Sequence, residues 1–365
     1  MRAALTLLLS LRQAGLATVV VCPGSRSGPL AVAAALLEPR GLRLKTALDE
    51  RSAAFFALGC GRGDGSPAAV ITTSGSAVAH LLPAAVEADY GAIPLLLLTA
   101  DRPQRLKGCG ANQSVNQERF LLASCRWYGQ AKASGLGSMD PLEIERLAQR
   151  AMAEAKGLEG QPPGAVHLNL PLDEPLHATP GEIDALAEAL RQGQIQIDGP
   201  DADQPDADGS EANEPKANEP EADRSEANNQ DADQPEAARA RLDPPYGHVL
   251  SQPALAVAAP ALDPDRPGLI VAGPWRGSLA VRADLIDALA AWQRRCGWPL
   301  LADALSGLRG CPGLEVIAGY DLILQDPPAA LAPEQVLRLG PLPASRRLQD
   351  WLQRLEAVQG LISDG

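Results

Sequence analysis

The chain has 365 residues, 45% of them hydrophobic, enough for two or three domains with cores of their own. Its longest uninterrupted apolar run, Leu30 to Leu37, is far short of the roughly 20 residues that a membrane helix needs. The net charge of −13 excludes the basic surface of a nucleic-acid binder, and most of it is local: residues 201–235 hold twelve acidic residues against Lys216 and Arg224.

The first residues, MRAALTLLLSLRQAGL, set a basic residue before an apolar stretch, as a signal peptide would. Thr6, Ser10 and Gln13 mark a polar face, Leu5, Leu8, Leu9 and Leu16 recur at helical spacing, and no small-residue cleavage site follows. A helix over 5–14 is therefore expected. Strands are expected at 18–22, 42–47, 68–72, 94–99 and 165–169, with helices at 30–37, 50–61, 76–88 and 141–156. Short apolar strands alternating with helices indicate an α/β fold with a parallel sheet covered on both faces.

Residues 201–235 are seven pentapeptide copies in register, beginning DADQP, DADGS, EANEP. With no aliphatic residue except Ala, recurring Pro and like charge, the segment reads as a disordered, self-repelling spacer. The alternation then resumes, with strands expected at 268–272, 300–303, 322–325, 335–339 and 360–363 and helices at 279–295 and 345–354. The expected domains are 1–180, a linker at 181–250 and a smaller α/β domain at 251–365. Six cysteines without a CxxC pair and only four histidines give no disulfide framework or zinc site, and fit free thiols in a reducing cytoplasm.

In open parallel sheets ligands bind at the carboxyl ends of the strands, which here are four turns. CPGSRSGP (22–29) reads either as a helix cap or as an anion cradle, and only the cradle accounts for Arg26. In ALDERSA (47–53), Asp49 and Glu50 open a helix, where carboxylates cap favourably and a partly buried glutamate can also move protons. TTSGSAV (72–78) is a cap with a Gly turn or a cradle for an anion or heterocycle. In the stretch 99–113, Arg102, Asn112 and Gln113 bring a guanidinium and two amides to one sheet edge. His80 and His167 read as structural, and Trp275 and Arg276 as a turn.

These turns, in this order, resemble the MenD family of thiamine-diphosphate-dependent synthases of menaquinone and phylloquinone biosynthesis. CPGSRSGPL, DERSAAFFALG, ITTSGSAVAHLLPAAVEA, PLLLLTADRP, GCGANQ and GAVHLNLPLDEPL carry the likeness to the pyrimidine-binding domain, and AGPWRG and RRCGWPLLADALSGLRG carry a weaker one to the central domain. The resemblance implies decarboxylation of 2-oxoglutarate on thiamine diphosphate and addition of the resulting succinyl unit to isochorismate. Glu50 is then the catalytic glutamate that hydrogen-bonds the aminopyrimidine; Ser74 and Gly75 join it in binding the cofactor, and Ser25, Arg26, Arg102, Asn112 and Gln113 line the substrate site.

It further implies Mg2+ or Mn2+ held by a third, diphosphate-binding domain, a homodimer or homotetramer, no nucleic-acid or membrane partner, and half of an active site in this chain. The family's GDG signature occurs at Gly63–Gly65, on a helix-to-strand turn without its downstream Asn, so no metal ligand is expected within these residues. The alternatives are a truncated, non-catalytic binding module or subunit, or another thiamine-diphosphate lyase.

Overall fold

The computed structural model describes residues 1–107, 109, 111–157, 161–193, 195, 262–276, 279–328 and 331–362. The pentapeptide repeat, and with it the expected disordered spacer, lies outside the described residues.

The chain opens with α1 (Arg2–Gln13), β1 (Thr18–Val21), α2 (Gly28–Leu37), β2 (Arg43–Thr46), α3 (Glu50–Asp64) and β3 (Ala68–Thr72). It continues through α4 (Ser76–Ala79), α5 (Leu82–Gly91), β4 (Leu95–Asp101), β5 (Trp127–Gln130), α6 (Pro141–Lys156), β6 (Ala165–Pro171) and α7 (Pro180–Arg191). The six strands form one parallel sheet in the order β2-β1-β3-β4-β6-β5. Strands β1, β3, β4 and β6 are buried throughout, as runs such as TVVV and LLLLTAD require when helices cover both faces. On one face Leu5, Leu8 and Leu11 of α1 pack with α2, α6 and α7.

The other face is covered by α3 and α5 through small residues: Ala53, Ala54 and Ala57, and Ala84, Ala85 and Ala88. Gly61 continues the small face of α3; a Cβ there would stand 2.4 Å from the carbonyl oxygen of Pro94.

The second unit consists of β7 (Gly268–Ala272), α8 (Leu279–Cys296), β8 (Leu300–Ala302), α9 (Tyr320–Ile323), β9 (Gln335–Leu339), α10 (Arg346–Arg354) and β10 (Val358–Ile362). Its four strands are parallel in the order β10-β9-β7-β8.

Four expectations are corrected. The helix expected over 76–88 is two, because Pro83 lacks an N–H and its ring would meet the carbonyl of Ala79, so α4 stops there. The strand expected at 322–325 is α9 instead: Tyr320 and Leu324 are buried while Leu322 and Ile323 between them are exposed, a helical spacing. The edge strand β5 was not foreseen. Nor was α7, which occupies the first residues assigned to the linker and starts with a capping box between Thr179 and Glu182. Among the described residues no helix is long and apolar enough to cross a membrane.

Candidate functional site

Strand β1 lies between β2 and β3, so the chain leaves it first to one side and then to the other. That reversal is a topological switch point, and open α/β sheets bind ligands at the carboxyl ends of the strands that flank one, here β1 and β3. The first and third turns flank that point and touch. A Cβ on Gly24 would lie 2.4 Å from the Cβ of Thr73, so only glycine lets the two backbones approach this closely.

The second turn joins from β2. Asp49 is the N-cap of α3, its carboxylate accepting from the amide of Ser52 at 2.7 Å, a bond that holds its pKa below the usual carboxylate range. Because Asp49 does the capping, Glu50 is left free for another task as the first helical residue, half-buried. Its carboxylate stands near the thiol of Cys22 at the end of β1. Burial first, then the charges of Glu50 and Asp49, push that thiol up to about 12 and keep it neutral.

The third and fourth turns are tied to each other. Gly75 has φ +86°, and a Cβ there would meet the Cβ of Gln113 at 3.1 Å. Arg102, buried, donates through Nη1 to Ser74 Oγ and, at 3.1 Å, to the carbonyl of Gln113, itself in the left-handed region at φ 53°. Desolvation first, and then the charge of Arg26, lower the Arg102 pKa against the opposing pull of Asp101, so the two guanidinium groups are close enough to feel each other's charge. Arg26 donates to the carbonyl of Leu172 at 2.8 Å and stands 3.6 Å from the exposed Glu174 carboxylate, but its Nε is buried without a partner. Two converging cations with an unfilled donor make a place for an anion. Ser25, exposed on the rim, lies 3.4 Å from His177 Nε2, and Asn112 is exposed on the fourth turn.

Beneath the fourth turn lies a polar cluster that the sequence did not single out. Asp101, fully buried, accepts from Lys107 Nζ at 2.7 Å and from Asn169 Nδ2 at 2.8 Å. His167 has its Nε2 2.8 Å from Thr99 Oγ1, which in turn donates to Asn169 Oδ1 at 3.2 Å. A neutral ring protonated at Nε2 satisfies that chain and leaves only the bare Nδ1 lone pair unpartnered; burial holds the His167 pKa down at about 3. His167 is structural, as expected. Such a cluster is legible only as polar residues spaced through strands that are otherwise continuously apolar.

Elsewhere, the GDG residues end α3 on Gly65 at φ 62°, a helix-to-strand turn. The carbonyl of Leu305 accepts from the Trp275 amide at 2.9 Å and from Arg62 of α3 at 3.1 Å, so it bonds to both units. All six cysteines are free.

Residues 1–120 match the family described as thiamine pyrophosphate enzyme, N-terminal TPP binding domain. The chain is 49% identical over its whole length to the 2-succinyl-5-enolpyruvyl-6-hydroxy-3-cyclohexene-1-carboxylate synthase of Synechococcus sp. strain RCC307, covering 53% of that protein. It is 47% identical to that of Synechococcus sp. strain CC9605, covering 55% of it, and 44% identical over 96% of this chain to that of Prochlorococcus marinus strain MIT 9313. The chain is thus homologous along its whole length to the 2-succinyl-5-enolpyruvyl-6-hydroxy-3-cyclohexene-1-carboxylate synthases and spans about half the length of these relatives.

Proposed function

We propose that these residues supply the pyrimidine-binding half of an active site that decarboxylates 2-oxoglutarate and transfers the succinyl unit to isochorismate. The observation that carries this reading is the meeting of four turns at one end of the sheet, Gly24 against Thr73 and Gly75 against Gln113, with the charge of Glu50 felt at Cys22 and that of Arg26 at Arg102. Thiamine diphosphate, held with Mg2+ or Mn2+, supplies the electron sink for decarboxylation.

Glu50, half-buried and released from capping, would hold the aminopyrimidine of the cofactor and serve as its proton acceptor and donor. Ser74 and Gly75 give the ring a close backbone edge. Both substrates carry two carboxylates; Arg26, with its unpartnered Nε, and Arg102 bind them, with Ser25, Asn112 and Gln113 at the rim. The two separate sheets support a division into domains at 1–180 and 251–365, and α7, packed on the core of the first sheet, supports extending the first domain to about residue 191.

We further infer a homodimer or homotetramer in the cytoplasm. The exposed Phe55 and Phe56 of α3 and Leu82, Val86 and Tyr90 of the neighbouring α5 support an interface on that face.

The test is carbon dioxide release by the complete protein in which these residues occur, with thiamine diphosphate and magnesium. 2-Oxoglutarate should be consumed, faster with isochorismate present. A preference for pyruvate, with 2-oxoglutarate ignored, would overturn the assignment in favour of another lyase.

A further inference from the structure

Gln117 is fully buried at the start of a short 3-10 turn on the fourth turn's return path, and its side chain reaches the third turn. Its Oε1 accepts from the Gly75 amide at 3.0 Å, and its Nε2 donates to Asn169 Oδ1 at 2.8 Å and to the carbonyl of Ala100 at 3.1 Å. Asn169 Nδ2 donates to Asp101 Oδ2, whose other oxygen accepts from the Arg102 amide at 2.8 Å. Arg102 closes the circuit by donating to Ser74 Oγ, one residue from Gly75.

Only one orientation of each amide fits this circuit. The Gly75 N–H must meet the Gln117 oxygen, the Ala100 carbonyl must meet its nitrogen, and the Asp101 carboxylate must meet the nitrogen of Asn169. The circuit ends on Arg102, whose guanidinium donates to Ser74 Oγ in the third turn and to the Gln113 carbonyl in the fourth while it feels the like charge of Arg26 and the opposite charge of Asp101. Those two acceptors stay in place only while the third turn is fixed against the fourth.

We propose that Gln117 is a positioning residue that locks the third turn and thereby holds Arg102 beside Arg26 in the geometry that receives a substrate carboxylate. This rests on the carboxylate-binding reading above. Such pre-organisation removes an ordering cost from ligand binding.

Nuclear magnetic resonance on the isotope-labelled chain tests it without any cofactor. In Gln117→Leu the Gly75 amide loses its acceptor, and its hydrogen exchange should quicken by roughly tenfold or more. The Arg102 guanidinium signal should broaden with it, while amides of β3 and β4 such as Val70 and Leu97 keep their protection. Gln117→Glu supplies the second readout. As a carboxylate it presents only acceptors to Ala100 and Asn169; once protonated it offers one donor, enough for one of the amide's two bonds, and keeps an acceptor for Gly75. Gly75 protection and the Arg102 signal should therefore return in part as the pH falls. The wild type followed over the same range controls for Asp101, Lys107, Glu118 and His167 nearby.

Wild-type exchange at Gly75 and an unchanged Arg102 signal in Gln117→Leu would overturn the proposal. So would loss of protection throughout the first sheet in both variants at every pH, which would make Gln117 a general core residue. Titrating 2-oxoglutarate into the wild type should shift the Arg26 and Arg102 signals. If it does not, the carboxylate reading of the site fails, while the exchange result still decides the role of Gln117.

Discussion

At the start of α3 Asp49 satisfies the free amide of Ser52, which leaves Glu50 beside it without a capping duty and open to the proton transfer proposed above. Glu50→Gln in the complete protein should lower turnover by about 10²- to 10⁴-fold, the usual worth of a positioned acid–base group. The melting temperature should stay close to that of the wild type; retained turnover would return Glu50 to helix capping. His167 makes a different prediction, because its proton uptake is coupled to folding. Its pKa is about 3 in the folded chain against 6.5 when solvated, so below pH 6.5 the unfolded chain takes up a proton that the folded one refuses. Stability from this group is complete above pH 6.5 and declines as the pH falls toward 3, by about 2 kcal/mol at pH 5. Urea unfolding of the wild type and His167→Gln at pH 7 and pH 5 should show the smaller loss in the variant.

At the scale of elements, the turns matter more than the strands they follow. Gly24→Ala would drive a methyl into Thr73 and should cost about 1–3 kcal/mol, read from the urea midpoint. Combining it with Thr73→Gly should recover part of that loss. The strands and helices of both sheets were largely legible because fully buried parallel strands are continuous apolar runs. Where the reading failed, a competing local rule had won. Pro83 divided a helix, and the apolar stretch around Leu322 was too short to separate a strand from a helix turn. Helix α7 was readable from its Thr179–Glu182 capping box, which the acidic tract downstream overshadowed. At the site, Arg26 and Arg102 could be named from sequence. The bond between Gln117 and Asn169 beneath the third turn could not, since pairing across 52 residues leaves no local signature.

For the whole molecule, the relevant fact is that the chain spans about half the length of its relatives. The four turns bring together two arginines and a glutamate but, among the described residues, no group of three or more His, Cys, Asp or Glu side chains that could hold a metal ion. Calorimetry on the 365-residue polypeptide with magnesium and thiamine diphosphate should therefore show weak binding or none. A tight one-to-one complex would contradict the division of the site between two halves.

The small inward face of α3 gives that division a mechanical side. Alanines and a glycine set the helix almost against the sheet, so its distance from the strands is fixed by backbone contact and not by compressible side chains. The helix resembles a beam clamped along its length, with Glu50 at its free end. Thickening the clamp far from that end, as Ala57→Val or Gly61→Ala would, should tilt the beam and displace the Glu50 carboxylate. If Glu50 has the role proposed, turnover in the complete protein should fall through a change that never touches it, and unchanged turnover would count against that role.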